Sequence, residues 1–211
     1  MNERLTKKCI LKINIMSPRT EEQFKEIREK RKAHIRDVAL EVFALDGYHG
    51  ASISKIAKKA DISKGLLYNY FDSKEDVIRD ILENGIDMML EGLDLNKDGV
   101  LERSEMEFYI NDIFDKIKAN PEFWRLYFSI SLQPAIYNLI QEKINEMFTP
   151  LYRMAVNYFE NQGFEDPEGE TMLFAALLDG LGFHFIMEPD HYPLEKVKQI
   201  LINRYVKFTR K

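Results

Sequence analysis

Two runs of side chains in this sequence are spaced to do chemistry, and neither is spaced for covalent catalysis. The first is Asp94, Asn96, Asp98, Glu102 and Glu105. Four carboxylates and one amide within a short stretch supply hard oxygen donors, and carboxylates held that close repel one another without a cation among them. Gly99 stands where such a loop must turn sharply, and the Val100 carbonyl follows as a backbone donor. Calcium suits this set better than magnesium, because Glu105 can bind through both oxygens and the donor count is high. The second run carries Ser52, Ser63, Lys64, Gly65, Tyr68, Asn69 and Lys74. Hydroxyl and amide groups, ammonium charges and one small residue are what phosphate oxygens and base edges of a duplex require. The chain has no Ser/His/Asp order, no Gly-rich phosphate loop and no histidine pair at metal-ligand spacing; His34, His49, His184 and His191 are scattered. A protein that binds is expected, not an enzyme.

Helices must position both runs. Ile53, Ile56, Ala57 and Ala60 recur on one helical face behind Ser52, a residue type that caps helix N-termini. Asp61 and Ile62 break the pattern. Ser63 reads as a second cap, Leu66, Leu67, Tyr70 and Phe71 as a second stripe, and Ser73 with Asp76 as the capping box of a third helix. Two short helices joined by so few residues form a helix-turn-helix, whose second helix enters the major groove of DNA. Upstream, Ser17-Pro18 closes a leader, and Thr20 and Gln23 form a capping box for a helix running to about Leu45, with Asp46–Gly50 as the turn that ends it. Downstream, a helix from Lys74 to about Leu93 turns Val77, Ile78, Ile81, Leu82, Ile86 and Met89 inward, and another begins near Ser104. The stretch between them matches the EF-hand calcium loop at every defining position, with Leu101 as the aliphatic residue at its eighth. A second such loop, its usual companion, is not found in the sequence. Aromatic-rich helices follow, restarted at Asn120-Pro121 and interrupted at Pro134, Pro150 and Gly163. The last two begin near Glu168, with the small residues Ala175, Ala176, Gly180 and Gly182, and near Leu194, with an apolar stripe fitted to a partner helix.

The order Ile56-Ala57, Ala60, Ile62-Ser63, Gly65, Leu67-Tyr68-Asn69-Tyr70-Phe71 and Lys74 resembles the TetR family of bacterial transcriptional regulators, as do Val38, Ala39, Val42, Phe43, Gly47, Tyr48 and Gly50 ahead of it. Many members carry His where Asn69 stands, and Thr is common near Ser52; both departures are mild. A flexible leader is expected over 1–18, and the resemblance implies an all-α fold: an N-terminal helix-turn-helix DNA-binding domain over 19–73, and a regulatory and dimerisation domain over 74–211. It implies a homodimer on a pseudo-palindromic double-stranded operator. Ser52, Lys64, Tyr68, Asn69 and Lys74 would then mainly meet phosphates, and Ser63, Gly65 and Leu66 would approach bases. The fourth helix would link head to body, its tilt setting the distance between heads. The last two helices would form a four-helix dimer bundle, with Ala176, Gly180, Phe183, Leu194, Val197, Leu201, Tyr205 and Phe208 as its contacts. An apolar small-molecule effector would sit among Phe114, Trp124, Tyr127, Phe128, Tyr152, Phe174 and His184. The family does not generally carry a calcium loop.

The charge balance agrees with DNA binding once it is divided. Residues 1–74 hold 16 Lys and Arg against 10 Asp and Glu, a balance of +6; the remainder holds 14 against 25, or −11, and the two recover the net −5. A basic end on an acidic body fits a nucleic-acid face. Lys30, Arg31, Lys32 and Arg36, with Lys55, Lys58, Lys59, Lys64 and Lys74, are the expected phosphate-neutralising set. The single cysteine, Cys9, excludes an internal disulfide and fits a reducing interior. The stretch Cys9–Met16 is interrupted by Lys12 and Asn14 and too short to cross a membrane, and no other stretch is read as a span. The combined expectation is a cytoplasmic, homodimeric repressor released by an effector, with no membrane partner and no required cofactor, and with Ca2+ (Mg2+ suits less well) as a modulating cation. The competing expectation is a calcium-responsive binding protein that uses the 94–105 loop and keeps the helix-turn-helix as scaffold.

Overall fold

A computed structural model describes residues 20–207. The leader over 1–18 with its Cys9, and Phe208, lie outside the described residues. The helices are α1 (Glu21–Gly50), α2 (Ile53–Lys59), α3 (Lys64–Tyr68), α4 (Lys74–Leu90), α5 (Arg103–Ala119), α6 (Pro121–Ser131), α7 (Pro134–Asn161), α8 (Pro167–Met187) and α9 (Leu194–Tyr205), with no strand among the described residues. The local start signals act as expected. Thr20 Oγ1 accepts from the Gln23 amide while Gln23 Oε1 accepts from the Thr20 amide, closing the capping box of α1. Ser52, Ser63 and Ser73 cap α2, α3 and α4 by accepting from the amides of Lys55, Leu66 and Asp76. The turn near the end of α1 is a kink at Gly47, whose φ of +69° an L side chain rarely adopts. α5 begins at Arg103, not at Ser104, because Glu102 is its N-cap and pairs with Glu105 in a capping box. α7 runs through Pro150 without the expected break, with Thr149 Oγ1 donating to the Asn145 carbonyl at 2.6 Å on the turn before it.

One apolar core runs unbroken from the head into the body. Ile35, Phe43, Ile56, Leu67 and Phe71 join Val77 and Ile78 of α4, and the same cluster continues to Trp124, Tyr158, Phe159 and Tyr205. α4 is therefore shared, and a cut at residue 73 separates names more than structures. On the head side Asp80 receives Lys32 and Arg36 of α1, the latter at 3.3 Å. On the body side Tyr127 donates its hydroxyl to the Leu82 carbonyl at 3.0 Å, and its ring lies so close to Gly85 that a Cβ there would fall 2.1 Å from Tyr127 Cε2. The amide of Tyr48, just past the kink, donates to Gln133 Oε1 between α6 and α7 at 3.2 Å.

The two C-terminal helices differ from expectation and from each other. Leu194, Leu201 and Tyr205 do not form a dimer seam: they are buried within the protomer, where the Tyr205 ring meets Phe159 and Phe174 edge-on and the Tyr205 carbonyl accepts from the Tyr158 hydroxyl. Val197 is half-buried. The stripe on α9 is apolar because α5 and α8 cover it, as long-range packing decides and spacing alone cannot. α8 has two apolar faces. Phe174, Leu178, Phe185 and Ile186 point into the core, while Met172, Leu173, Ala176, Phe183 and Met187 are exposed. By length and composition α8 is apolar enough to cross a membrane, contrary to the expectation that no stretch would be. Its inner face is part of the apolar core, so its outer face is the one that needs an explanation.

Candidate nucleic-acid interface

α3 is only one and a half turns long, so its pose depends on what grips its ends. Ser63 holds its start, Leu67 is buried beneath it, and Arg28 of α1 donates from Nη2 to the Asn69 carbonyl at 3.1 Å at its end. The same guanidinium lies 5.0 Å from the centre of the Tyr70 ring, a cation–π contact. This grip leaves Ser63, Lys64, Gly65, Tyr68 and Asn69 exposed on one side, with Tyr68 at 45%. Nothing lies within 4 Å of where a Cβ on Gly65 would be, so the middle of that side is open to close approach. Lys64 Nζ stands 5.8 Å from the Tyr68 ring centre, which places an ammonium and a phenol side by side.

Beside α3 runs an open cleft of about 390 Å³ with Ser52, Ser54, Lys64 and Tyr68 on one wall and Ser73, Lys74 and Glu75 on the other. The structure thus brings together four of the eight residues expected at DNA, from three different helices. Ser54 was not foreseen; as an exposed hydroxyl at the second residue of α2 it had no periodic signal of its own. Two expectations need correction. Lys74 is not a free phosphate contact: its ammonium donates to the Tyr48 carbonyl at 2.9 Å and the Ala51 carbonyl at 3.5 Å and lies 4.3 Å from the Tyr48 ring centre. Leu66 is half-buried and lines a hollow against Arg31, His34 and Ile35 of α1 instead of standing at the exposed face. Lys74 is one part of a latch. Tyr48 donates its hydroxyl to Glu75 Oε1 at 2.5 Å, so the turn after α1 is pinned to the first turn of α4. Burial, with the neighbouring Glu75 carboxylate, pushes the Tyr48 hydroxyl up to about 12, and the hydrogen bond from Tyr48 holds Glu75 below its usual range.

Several other basic residues also have acidic partners within the chain. Lys32 and Arg36 go to Asp80, Lys55 to Asp46 and the Gly50 carbonyl, and Lys59 to Glu41 at 2.6 Å. Lys30 pairs with Glu26 within α1. Positive charge on the head is partly used to assemble it, which residue type alone did not reveal.

The expected effector set is not gathered around one space. Phe114, Trp124, Tyr127 and Phe174 are buried and Phe128 half-buried, with Trp124 5.6 Å from Tyr127 and 6.2 Å from Phe128 between ring centres. These rings fill the core because their edges and faces meet favourably. Tyr152 and His184 are exposed, His184 stacking on Tyr192. Tyr152 lines a different cleft, of about 560 Å³, along the outer side of α7. The 94–105 residues form the connection from α4 to α5, and among the described residues no three acidic, histidine or cysteine side chains are gathered closely enough to hold a metal ion.

Two short helices with a polar outer side, set on a basic head and gripped from behind, define a DNA-reading helix-turn-helix. Residues 35–81 match the model for bacterial regulatory proteins of the tetR family, so this segment is a helix-turn-helix of the tetR type. The chain is 28% identical over 131 residues to the biofilm operon icaADBC negative transcriptional regulator IcaR of Staphylococcus epidermidis, covering 61% of this chain and 69% of that protein. It is 28% identical over 125 residues to the fatty acid metabolism regulator protein of Bacillus subtilis, covering 57% and 63%. In several other curated relatives the matched stretch is about half of the relative's length. The fold is similar to that of the transcriptional regulator FadR from Bacillus subtilis in complex with stearoyl-CoA, with a TM-score of 0.62 at 20% identity, over 82% of this chain and 97% of that one. Because the family match falls on the helix-turn-helix itself, the reading in which that unit is mere scaffold for a calcium-responsive protein is set aside.

Proposed function

We propose that this protein is a homodimeric repressor that occupies a pseudo-palindromic operator and leaves it when an effector binds the body. The observation that carries the reading is the cleft beside α3, where Ser52, Ser54, Lys64 and Tyr68 stand together over a head whose Ile53, Ile56, Leu67 and Phe71 are buried. Ser52, Ser54, Lys64, Tyr68 and Asn69 would hold the phosphate backbone, and Ser63 and Gly65 would face bases. Lys74 and the Tyr48–Glu75 pair keep the two walls of the cleft in register without touching DNA. The exposed face of α8 supports the dimer: Met172, Leu173, Ala176 and Phe183 form an apolar surface that a second copy would cover about a two-fold axis. Gly180, half-buried on the same helix, lets the two backbones approach. Such a regulator works in the cytoplasm.

The effector acts through α4, which Asp80 ties to the head and Tyr127 to the body. A ligand that binds one tilt of α4 better than another shifts the population of head spacings. The cleft along α7 offers Phe148, Tyr152 and Val156 as an apolar wall and Arg153 as a cation, a lining suited to an amphipathic anion such as a long-chain acyl compound. One relative is named for fatty acid metabolism, which agrees with that chemistry.

Selection from a pool of random double-stranded DNA tests the reading. The wild type should enrich an inverted repeat, with affinity falling steeply as salt rises, because phosphate neutralisation releases counterions. Lys64→Ala with Tyr68→Ala should lose roughly 10- to 1000-fold in affinity on the selected site, two contacts of about 1–2 kcal/mol each. Failure to enrich any repeat, or equal affinity of that pair, overturns the assignment of α3. Palmitoyl-CoA, tested on the selected site, should weaken binding if the α7 cleft is the effector site.

A further inference from the structure

The connection between α4 and α5 has a use that DNA binding does not require. Its ends are anchored in the core by Leu93 and Leu101, both buried. Between them the backbone coils back on itself, with positive φ at Lys97 and Gly99. Three side chains are turned inward by the loop's own amides: Asp94 Oδ2 accepts from Gly99 at 2.9 Å, Asn96 Oδ1 from Asp98 at 3.0 Å, and Asp98 Oδ1 from Val100 at 2.8 Å. Glu105 closes the loop from the first turn of α5. It is only 6% exposed, and its carboxylate accepts from the amides of Leu95, Asn96 and Glu102.

Two observations point beyond a helix connection. Asp94 Oδ1 is shut off from solvent and has no hydrogen-bond partner, the state that costs a carboxylate oxygen most. In addition, among the described residues no lysine or arginine forms an ion pair with Asp94, Asp98, Glu102 or Glu105, whereas acidic groups elsewhere, such as Asp80 and Asp112, have such partners. That unpartnered oxygen stands at the first position of a stretch whose twelve positions carry the oxygen-donor spacing of a calcium loop. We propose that residues 94–105 bind a divalent cation, calcium in preference to magnesium. The donors are one oxygen each from Asp94, Asn96 and Asp98, the Val100 carbonyl, Glu102 directly or through water, and both oxygens of Glu105. With its amide bonds made, Glu105 is a helix cap; to become a ligand it rotates away from the Leu95, Asn96 and Glu102 amides toward Asp94. Cap and chelate are alternatives for one side chain. Binding stiffens the joint at which α4 ends. Any consequence for DNA rests on the repressor reading above, but the site itself does not.

The test is calcium titration by calorimetry into metal-stripped, full-length protein, with magnesium in parallel. One saturable site per protomer is expected, with a Kd between about 10⁻⁷ and 10⁻³ M and magnesium at least about tenfold weaker. Calcium at a hundredfold excess over Kd should raise Tm by roughly 5–10 °C. Asp94→Asn and Glu105→Gln keep shape while replacing the charged carboxylate by an amide with one acceptor oxygen fewer, and each should lose at least about tenfold in calcium affinity with unchanged circular dichroism at 222 nm. Hydrogen exchange supplies a second readout: the amides of Leu95, Asn96 and Glu102 should change protection on calcium addition in the wild type and not in Glu105→Gln. Absence of saturable binding up to about 10 mM calcium, ten times the weak end of that range, overturns the site. So does binding that Glu105→Gln leaves untouched, or uptake of magnesium and calcium to equal extents, which would be a counter-ion cloud over an acidic surface.

Discussion

The head and the body of this protein put apolar side chains in opposite places. On the face that α3 presents, Tyr68 is the one large ring among hydroxyls, amides and an ammonium, and the head's other rings and aliphatic groups are mostly inward. The body leaves Met172, Leu173, Phe183 and Met187 in the open along α8. On the proposed reading, the difference follows from what each must meet. A polyanion is held by charge and hydrogen bonds that survive in water, while a second copy of the chain is held by area removed from water. The two surfaces should therefore fail in different ways when altered, and α4, which belongs to both cores, should couple them.

The largest effect should come from breaking what the two regions share. Trp124 is 1% exposed and donates from Nε1 to the Lys116 carbonyl at 3.2 Å. Trp124→Ala should cost about 3–5 kcal/mol. Because the core is continuous, urea denaturation followed by circular dichroism and by DNA binding should show one transition moved to lower urea. Two separated transitions would mean that head and body are independent after all.

A charge on the α8 face sharpens the comparison next. Phe183→Asp should leave the protomer folded, since Phe183 is half exposed, yet shift sedimentation from dimer to monomer. Affinity for a two-half-site operator should fall by about a hundredfold or more as the halves lose their linkage, while the salt dependence per protomer persists. An unchanged dimer would place the interface elsewhere.

What was legible in the sequence divides along the same line. The caps at Thr20, Ser52, Ser63 and Ser73 act over three residues, and the outward side of α3 follows from one stripe, so both could be read from short windows. Lys74 could not: its partners at Tyr48 and Ala51 are 26 and 23 residues away, and Asp80 collects Lys32 and Arg36 from 48 and 44 away. A lysine in a basic head looks the same in sequence whether it faces a phosphate or a carbonyl. In the body, the aromatic residues read equally well as cavity wall or filling, and only ring-on-ring contacts such as Trp124 with Tyr127 decide for filling. Gly85 went unnoticed for a related reason: nothing local says that a tyrosine ring will lie against it.

The latch offers a smaller and more selective test. Tyr48→Phe removes the hydrogen bond to Glu75 while leaving the ring beneath Lys74, and should cost about 1–2 kcal/mol. The Tyr48 hydroxyl is raised to about 12 in the folded state against 10.0 ordinarily, so its contribution is fully present below pH 10 and is lost as pH rises toward 12. The stability gap between wild type and Tyr48→Phe should accordingly close over that window in chemical denaturation. A gap independent of pH would mean that the hydroxyl is not held by Glu75.

The smallest effect is expected at Asp179, which stands at the edge of the exposed side of α8, between Ala176 and Phe183 and near enough to the buried Tyr109 of α5 for its charge to raise that hydroxyl. Loss of hydration there raises its carboxyl above the ordinary 3.8. A raised carboxyl favours the protonated form in the folded state, so the contribution to stability is full below the unfolded value and is lost as pH rises through the folded one. At neutral pH the ionised group opposes both folding and the approach of a second apolar face. Asp179→Asn should therefore raise Tm at pH 7, tighten the dimer, and flatten the pH dependence of Tm just above pH 4. If the variant instead weakened the dimer, Asp179 would be a paired contact across the seam and not an isolated charge within it, and the apolar description of the α8 face would have to be redrawn around it.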